Sequence, residues 1–223
     1  MSWVLGIDTS IDVRVGLARD GVVVARRHVA DTRQHVERLI PLVQAVLGDA
    51  GVRVADLDLI CVGLGPGPFT GLRVGIVAAQ TLAVATGVPL HGVCSLDVLA
   101  ADVTDISDYV VATDARRKEV YWARYRTGDP LPTRLDGPQV GAPEDLPDLP
   151  VVGPGVVAYA DRLGERPRPV GADILDAGRL AALGAVLPSA GTQPLYLRRP
   201  DAAPPAKPKS TLVRPLRRRR RRT

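Results

Sequence analysis

Hydrophobic and polar positions along this chain follow two different periods, and the switches between them mark its elements. The apolar run from Trp3 to Asp8 predicts a buried strand, and Val13 to Ala18 with Val22 to His28 predict a hairpin around Arg19-Asp20-Gly21. From about Thr32 to Leu47 the period lengthens: Val36, Leu39, Ile40, Val43 and Val46/Leu47 recur at helical spacing and define one apolar face. Pro41 lies inside that stretch and presses on the carbonyl of Glu37, which predicts a kink or a restart. Leu59 to Leu64 reads as the next strand, followed by a glycine-proline loop and an alanine-rich helix to about Thr86. A strand from Val88 to Val93 and a helix after Ser95 complete a βα pair.

Beyond residue 103 the texture changes, because sixteen of the 20 prolines lie there and force shorter elements. Tyr109 to Thr113 and Val120 to Arg126 still read as strands on either side of Asp114-Ala115-Arg116-Arg117. Val151-Val152-Gly153-Pro154-Gly155 followed by a short helical stretch echoes Val62-Gly63-Leu64-Gly65 followed by its loop and helix. The echo predicts two related α/β lobes, a first over 1–103 and a smaller, reduced second over 104–199, followed by a tail over 200–223.

The loop Gly65-Pro66-Gly67-Pro68-Phe69-Thr70-Gly71-Leu72-Arg73-Val74-Gly75 carries the densest chemistry signal. Glycine loops before helices attract phosphates through free backbone N–H groups. Here Pro66 and Pro68 remove two such donors and stiffen the loop, a shape suited to a surface presented to a partner. The nucleotide patterns fail letter by letter: Gly71-Leu72-Arg73 stands where a P-loop needs Gly-Lys-Ser/Thr, and Thr70 where a dinucleotide fingerprint needs its third glycine. Thr70 reads as the N-cap of the following helix, with Gly71 allowing its first turn to pack closely.

Composition bounds the function class. With 223 residues, 46% of them hydrophobic, the chain has the material for a proper core. No apolar run approaches the ~20 residues of a membrane span, and Met1-Ser2-Trp3-Val4 lacks a secretory pattern, so a cytoplasmic protein without a membrane role is expected. Cys61 and Cys94 fall in predicted buried positions and suggest core residues. Residues 200–223 hold nine basic residues, including Arg217 to Arg222, against Asp201; of the net charge of +5, the remaining 199 residues therefore carry −3. The proline-rich tail is expected to be a disordered basic arm able to attract polyanions such as tRNA, or a solvated tail without a specific use, while the body lacks a basic face.

Catalytic constellations are sparse. No G-x-S-x-G elbow is present, and His35 with Glu37 gives H-x-E rather than H-E-x-x-H. Asp8, Thr9 and Ser10 follow the first strand, where an acid and two hydroxyls suit a hydrated metal and phosphate oxygens, or equally a hydrogen-bonded turn. Asp114 is open between a site residue and a turn cap.

Five segments together resemble the TsaB (YeaZ) family: Leu5-Gly6-Ile7-Asp8-Thr9-Ser10, Gln34 through Pro41, Gly65 through Gly75, Asp114-Ala115-Arg116 and Pro194-Leu195-Tyr196-Leu197-Arg198. The match runs from about residue 3 to 198, with Pro68 and Val36 standing where the family usually has serine. The resemblance implies a two-lobed actin/Hsp70/sugar-kinase-like (ASKHA) fold with a reduced second lobe. It implies a non-catalytic subunit that supports threonylcarbamoylation of adenosine 37 in tRNA by binding a catalytic paralogue, TsaD, together with an ATPase, TsaE, and that forms a homodimer when alone. Catalytic paralogues hold their metal through H-x-x-x-H, and none of His28, His35 and His91 are four apart, so no metal site is expected. No tightly bound cofactor is expected, with ATP or ADP confined to the complex or to a residual site at Asp8, Thr9, Ser10 and Asp114. The family shifts the helix face of Val36, Leu39, Ile40 and Val43 towards a partner interface and marks Gly65, Pro66, Gly67, Phe69, Thr70, Gly71 and Arg73 as its motif loop. Contact with tRNA is expected through the complex, with the Arg217 to Arg222 tail as an aid. The other function class is a stand-alone ATP-binding kinase or hydrolase on the same fold.

Overall fold

A computed structural model describes residues 1–30, 35–167 and 173–198, with the side chains of His35 and Val36 left aside; Gln34, the Thr32 start of the predicted helix and the basic tail lie outside the described residues. Two sheets are built on one plan. The first has the order β3(Val22–Val29), β2(Val13–Arg19), β1(Trp3–Asp8), β4(Leu59–Gly63), β5(Leu90–Val93). The second runs β8(Thr133–Gly141), β7(Val120–Arg126), β6(Asp108–Asp114), β9(Val151–Val152). Each is an antiparallel three-strand meander whose first strand takes a parallel neighbour on its other side, β1 with β4 and β6 with β9. The Val151 echo of Val62 therefore has a structural counterpart, and β5 has no equivalent in the second sheet among the described residues.

The hairpin forms where expected, because Asp20 and Gly21 both adopt positive φ (50° and 77°), the twist that a two-residue turn between strands requires. On one face of the first sheet, Leu5, Ile7, Val15 and Leu17 pack with Leu39, Val43, Val46 and Leu47 of α1(His35–Ala50) and with Leu72, Ile76 and Ala79 of α2(Phe69–Thr86). α1 passes through Pro41 without a restart. Pro41 sits on the exposed side, and four buried anchors at helical spacing hold the rest of the helix on the sheet.

The opposite face takes α5(Ala177–Leu183), a helix from the second half of the chain, through Leu180 and Ala181. Asp176 caps it by accepting the Gly178 N–H at 2.7 Å. α5 lies almost directly on the strand backbones: a Cβ on Gly6 would stand 2.4 Å from the Ala177 carbonyl oxygen, and one on Gly16 2.3 Å from the Gly178 nitrogen. α3(Ser95–Ala100), buried along its whole length, joins the two sheets. Its Asp97 accepts a 2.7 Å hydrogen bond from the Tyr125 hydroxyl and faces Arg134 of β8 at 3.6 Å. Cys61 and Cys94 are core residues, and burial pushes both thiols up to about 12.

β8 is an element the apolar pattern does not predict. It carries Gly137 at φ 90° and Pro138, and it survives because it is an edge strand with register shifts against β7, the one place in a sheet where proline costs no ladder bond. α2 is, among the described residues, the one helix long and apolar enough by length and composition to cross a membrane. Its inner face lies on β1 and β4 in the core just described.

Gly16→Ala is expected to lift α5 off the sheet and lower the unfolding free energy by about 1–3 kcal/mol. Gly48→Ala, in open space on α1, is expected to raise it by about 0.5–1 kcal/mol. Urea unfolding of both variants checks the pair; equal effects would contradict the close approach of α5.

Candidate functional site

The end of β1 is spent on holding the motif loop. Asp8 is fully buried (0% exposed). Its Oδ1 accepts the Ser10 N–H at 2.7 Å and the Ser10 hydroxyl at 2.6 Å, while Oδ2 accepts the Ser95 hydroxyl at 2.6 Å. Ser95 Oγ in turn accepts the Gly65 N–H at 3.1 Å, and the Ser95 N–H donates to the Gly65 carbonyl at 2.8 Å. Gly63 must lack a side chain, because its Cβ would fall 1.7 Å from Asp8 Oδ2. Burial pushes the Asp8 carboxyl above its ordinary range, opposed by the hydrogen bonds from Ser10 and Ser95.

Thr9 makes a second clamp. Its hydroxyl donates to the Gly71 carbonyl at 2.7 Å and accepts the Gly75 N–H at 3.2 Å, inserting between two groups that are i, i+4 partners within α2. Gly75 leaves the room, since a Cβ there would stand 2.3 Å from Thr9 Oγ1. Gly67 likewise lies against the Ser10 backbone, where its Cβ would be 2.6 Å from the carbonyl oxygen. Gly65, Pro66, Gly67, Gly71, Leu72 and Gly75 are buried, while Pro68, Phe69, Thr70, Arg73 and Val74 reach the surface, so the glycines of the loop pack inward rather than facing out. Thr70 is not the N-cap. α2 starts at Phe69, two residues earlier than a Thr70 cap implies, with Pro68 at φ −61° and ψ 135° in the capping position, its carbonyl accepting the Leu72 N–H at 3.0 Å and no side chain capping. The fixed φ of proline suits that boundary and leaves Thr70 exposed in the first turn.

Three of the five motif segments meet in a cleft of 180 Å³ between the sheets, lined by Gly67, Pro68, Phe69, Ala115, Arg116, Arg117, Tyr121, Tyr196, Leu197 and Arg198. Phe69 stacks on Tyr196 with ring centroids 4.7 Å apart. The Arg73 guanidinium lies 4.0 Å from the Phe69 ring centroid and donates to the Tyr196 hydroxyl at 3.0 Å. Such a charge over a ring face contributes about 0.5–1 kcal/mol at an exposed site. Across the cleft, Asp114 caps its own turn, accepting the Arg116 N–H at 2.7 Å and the Tyr159 hydroxyl at 2.8 Å. Arg116, Arg117 and Lys118 follow at φ 60°, 55° and 63°, a left-handed run rare for residues with side chains. Arg198 pairs with Glu119 and donates to the Ala115 carbonyl at 2.9 Å, fixing the turn to the C-terminal segment.

The fourth segment forms a separate surface. Leu39 (1% exposed) and Val43 point into the core, whereas Ile40 is 41% exposed. Ile40 lines an apolar groove with Leu39, Arg73, Val74, Val77, Ala78, Thr81 and Leu82, in which Val77 is 56% exposed; farther along α2, Val84 is 86% exposed. The side chain of Val36 lies outside those described. α2's share of this groove escapes the sequence pattern, whose only signal is an apolar composition too wide for one buried face. Among the described residues no three of His, Cys, Asp and Glu stand together as a metal site.

These features define an α/β protein of two sheets whose first-strand acid and hydroxyls are consumed by its own loop and whose helices leave an apolar face uncovered. A family model described as "TsaD: tRNA N6-adenosine threonylcarbamoyltransferase" matches residues 28–197. An uncharacterized protein of Mycobacterium tuberculosis is 45% identical over 92% of this chain and 95% of its own length. A tRNA threonylcarbamoyladenosine biosynthesis protein TsaB of Escherichia coli is 38% identical over 55% of this chain and 54% of its own length, so the alignment spans about half of each. A solved structure entitled YeaZ, from Pseudomonas aeruginosa, superposes with a TM-score of 0.72 at 29% identity, covering 88% of this chain and all of that one. The chain belongs to the TsaB (YeaZ) family.

Because burial raises the native Asp8 value above the unfolded one, the associated stability is full below the usual 3.8 and is lost as pH rises through the raised native value. Asp8→Asn is expected to flatten that slope while costing less than Asp8→Ala, which orphans the Ser10 and Ser95 donors at about 1–3 kcal/mol. Urea unfolding between pH 4 and 8 reads both effects; an unchanged slope in Asp8→Asn would refute the assignment.

Proposed function

We propose that this chain is a non-catalytic subunit for threonylcarbamoylation of adenosine 37 in tRNA, acting by binding and activating a TsaD-like catalytic paralogue together with a TsaE-like ATPase. The observation that carries the proposal is the apolar groove between α1 and α2, where Ile40 and Val77 remain exposed on otherwise well-packed helices. The TsaB relatives, named as tRNA threonylcarbamoyladenosine biosynthesis proteins, support the pathway. The repeated strand order of the two sheets supports an ASKHA-type scaffold with a reduced second lobe, with α5 returning from the second half of the chain to the first sheet. On this reading the chain is cytoplasmic, the same groove pairs two copies when the paralogue is absent, ATP or ADP enters only at the level of the complex, and tRNA is met there.

A stand-alone kinase or hydrolase would need an ionised, accessible carboxylate to hold a hydrated metal near phosphate. Asp8 is buried with both oxygens accepting hydrogen bonds, and Asp114 is tied to its own turn and to Tyr159. Both arrangements support the turn reading of these residues over the nucleotide-site reading.

The exposure pattern selects the test. Leu39→Glu would bury a carboxylate and measure stability, whereas Ile40→Glu with Val77→Glu changes only uncovered positions. The double variant is expected to keep its thermal melt and to lose co-purification with the paralogue by at least about tenfold, the effect of burying two charges in an apolar interface. Undiminished co-purification would overturn the groove as the pairing surface.

A further inference from the structure

Arg73 is the one charged residue among those that line the apolar groove, and it is held in place from behind. Its Nε donates to the Tyr196 hydroxyl at 3.0 Å, and its guanidinium carbon lies 4.0 Å from the centroid of the Phe69 ring. Phe69 in turn stacks on Tyr196, so two aromatic side chains fix the fork in one orientation. The segment that carries Tyr196 is itself tied down: the Leu195 N–H donates to the Leu64 carbonyl at 2.8 Å, and Arg198 donates to the Ala115 carbonyl at 2.9 Å. Among the described residues no carboxylate pairs with Arg73. With Nε occupied, the outer edge of the fork, Nη1 and Nη2, is left to offer its donors outward.

The same residue stands in a seam that runs the length of α2. The exposed positions of this helix are Thr70, Arg73, Val77, Thr81, Val84 and Ala85, the first five spaced 3, 4, 4 and 3 residues apart, the mixture of threes and fours with which one helix meets another. Apart from Arg73 the seam consists of small and β-branched side chains and holds no acid. A helix laid along it covers the guanidinium, and a covered charge is costly unless a carboxylate meets it. We infer that Arg73 selects the partner at this groove: its Nη1/Nη2 edge receives, through two parallel hydrogen bonds, a carboxylate that the catalytic paralogue carries on an apolar helical face. This role rests on the reading of the groove as the pairing surface. Charge complementarity favours the paralogue over a second copy of this chain. A second copy apposed through α2 brings another Arg73 and no acid from the seam, and its remaining acid beside the groove is Glu37, one turn before Ile40 on α1. Arg73 therefore acts twice, attracting an acidic partner and opposing self-pairing.

The experiment measures two affinities for each variant of the full chain: binding to the purified paralogue, and self-association by sedimentation equilibrium. Arg73→Gln is expected to keep its thermal melt, to weaken binding to the paralogue by at least about tenfold, and to leave self-association as tight or tighter. Arg73→Lys is expected to remain weakened, because an ammonium neither forks nor stacks as a guanidinium does. Tyr196→Phe keeps the ring stack and removes only the acceptor that orients Nε; it is expected to weaken binding about 2- to 10-fold, the effect of one hydrogen bond. Packing of Arg73 on Phe69 alone would not respond to the partner's charge, so a charge swap decides. Arg73→Glu is expected to abolish detectable binding, and one acid-to-lysine substitution among the paralogue's exposed acids is expected to restore it. Failure of every such substitution would overturn the inference, as would an Arg73→Gln variant that binds the paralogue as the parent does. Equal losses of self-association in Glu37→Gln and Arg73→Gln would assign the carboxylate to a second copy and overturn it as well. The pairing reading fails separately, when Ile40→Glu/Val77→Glu still binds the paralogue. If that double variant loses the paralogue while Arg73→Gln keeps it, the groove stands and only the carboxylate contact falls.

Discussion

The buried carboxylate of Asp8 is the constraint from which the first half of the molecule is organised. A carboxylate removed from water must have its lone pairs filled. Asp8 meets that demand with two serine hydroxyls and one amide drawn from β1's own exit and from the start of α3. Ser95 then passes the constraint on to Gly65, so one acid fixes the position of the strand end, the motif loop and the helix that joins the sheets. Gly63 has no alternative, because any side chain there would occupy the space of the carboxylate. The glycines of this region serve an interior close approach, unlike the open backbone N–H groups that glycines supply in a phosphate loop.

Thr9 extends the same logic to α2. A hydroxyl both donates and accepts, and here it does so to a carbonyl and an amide one helical turn apart, pinning the helix to β1 through a gap that only Gly75 leaves. With its inner face so pinned, α2 turns Val77 and Val84 outward, away from the sheet. The uncovered apolar groove is thus a geometric consequence of how the motif loop is anchored. Arg73 links the two regions, lining the groove while its guanidinium lies over Phe69 at the cleft.

What was legible in the sequence was what local chemistry determines. The hairpin at Asp20-Gly21 follows from two residues that accept positive φ, and the core face of α1 follows from a period of 3.6. The motif loop was visible as a composition, but its inward packing was not, because it depends on Thr9, 66 residues away from its partner Gly75. Pro41 argued for an interruption that four buried anchors override. β8 was hidden by Gly137 and Pro138, which only an edge position excuses, and α5 by its brevity, although the Asp176 cap was a readable signal. The Ile40 side of α1 could not be separated from the Leu39 side by pattern alone, since both are apolar and only packing assigns one to the sheet.

The sealed first strand and the open surfaces are two sides of one arrangement. In a nucleotide-binding α/β protein the acid at the end of a strand faces a cleft and stays ionised to hold a metal near phosphate. Here burial opposes ionisation of that acid, and neighbouring serines occupy both of its oxygens. The residues left to face solvent at the cleft are of another kind: arginines on a left-handed turn, stacked aromatics and the point of departure of a basic tail. Arginine guanidinium groups attract phosphate esters. On the proposed reading the apolar helical face pairs through buried apolar area, and the cleft is a second, charged surface separate from it. Pairing through the proposed apolar face would strengthen in a kosmotropic salt such as sulfate, whereas charge contacts at the cleft would be screened by it.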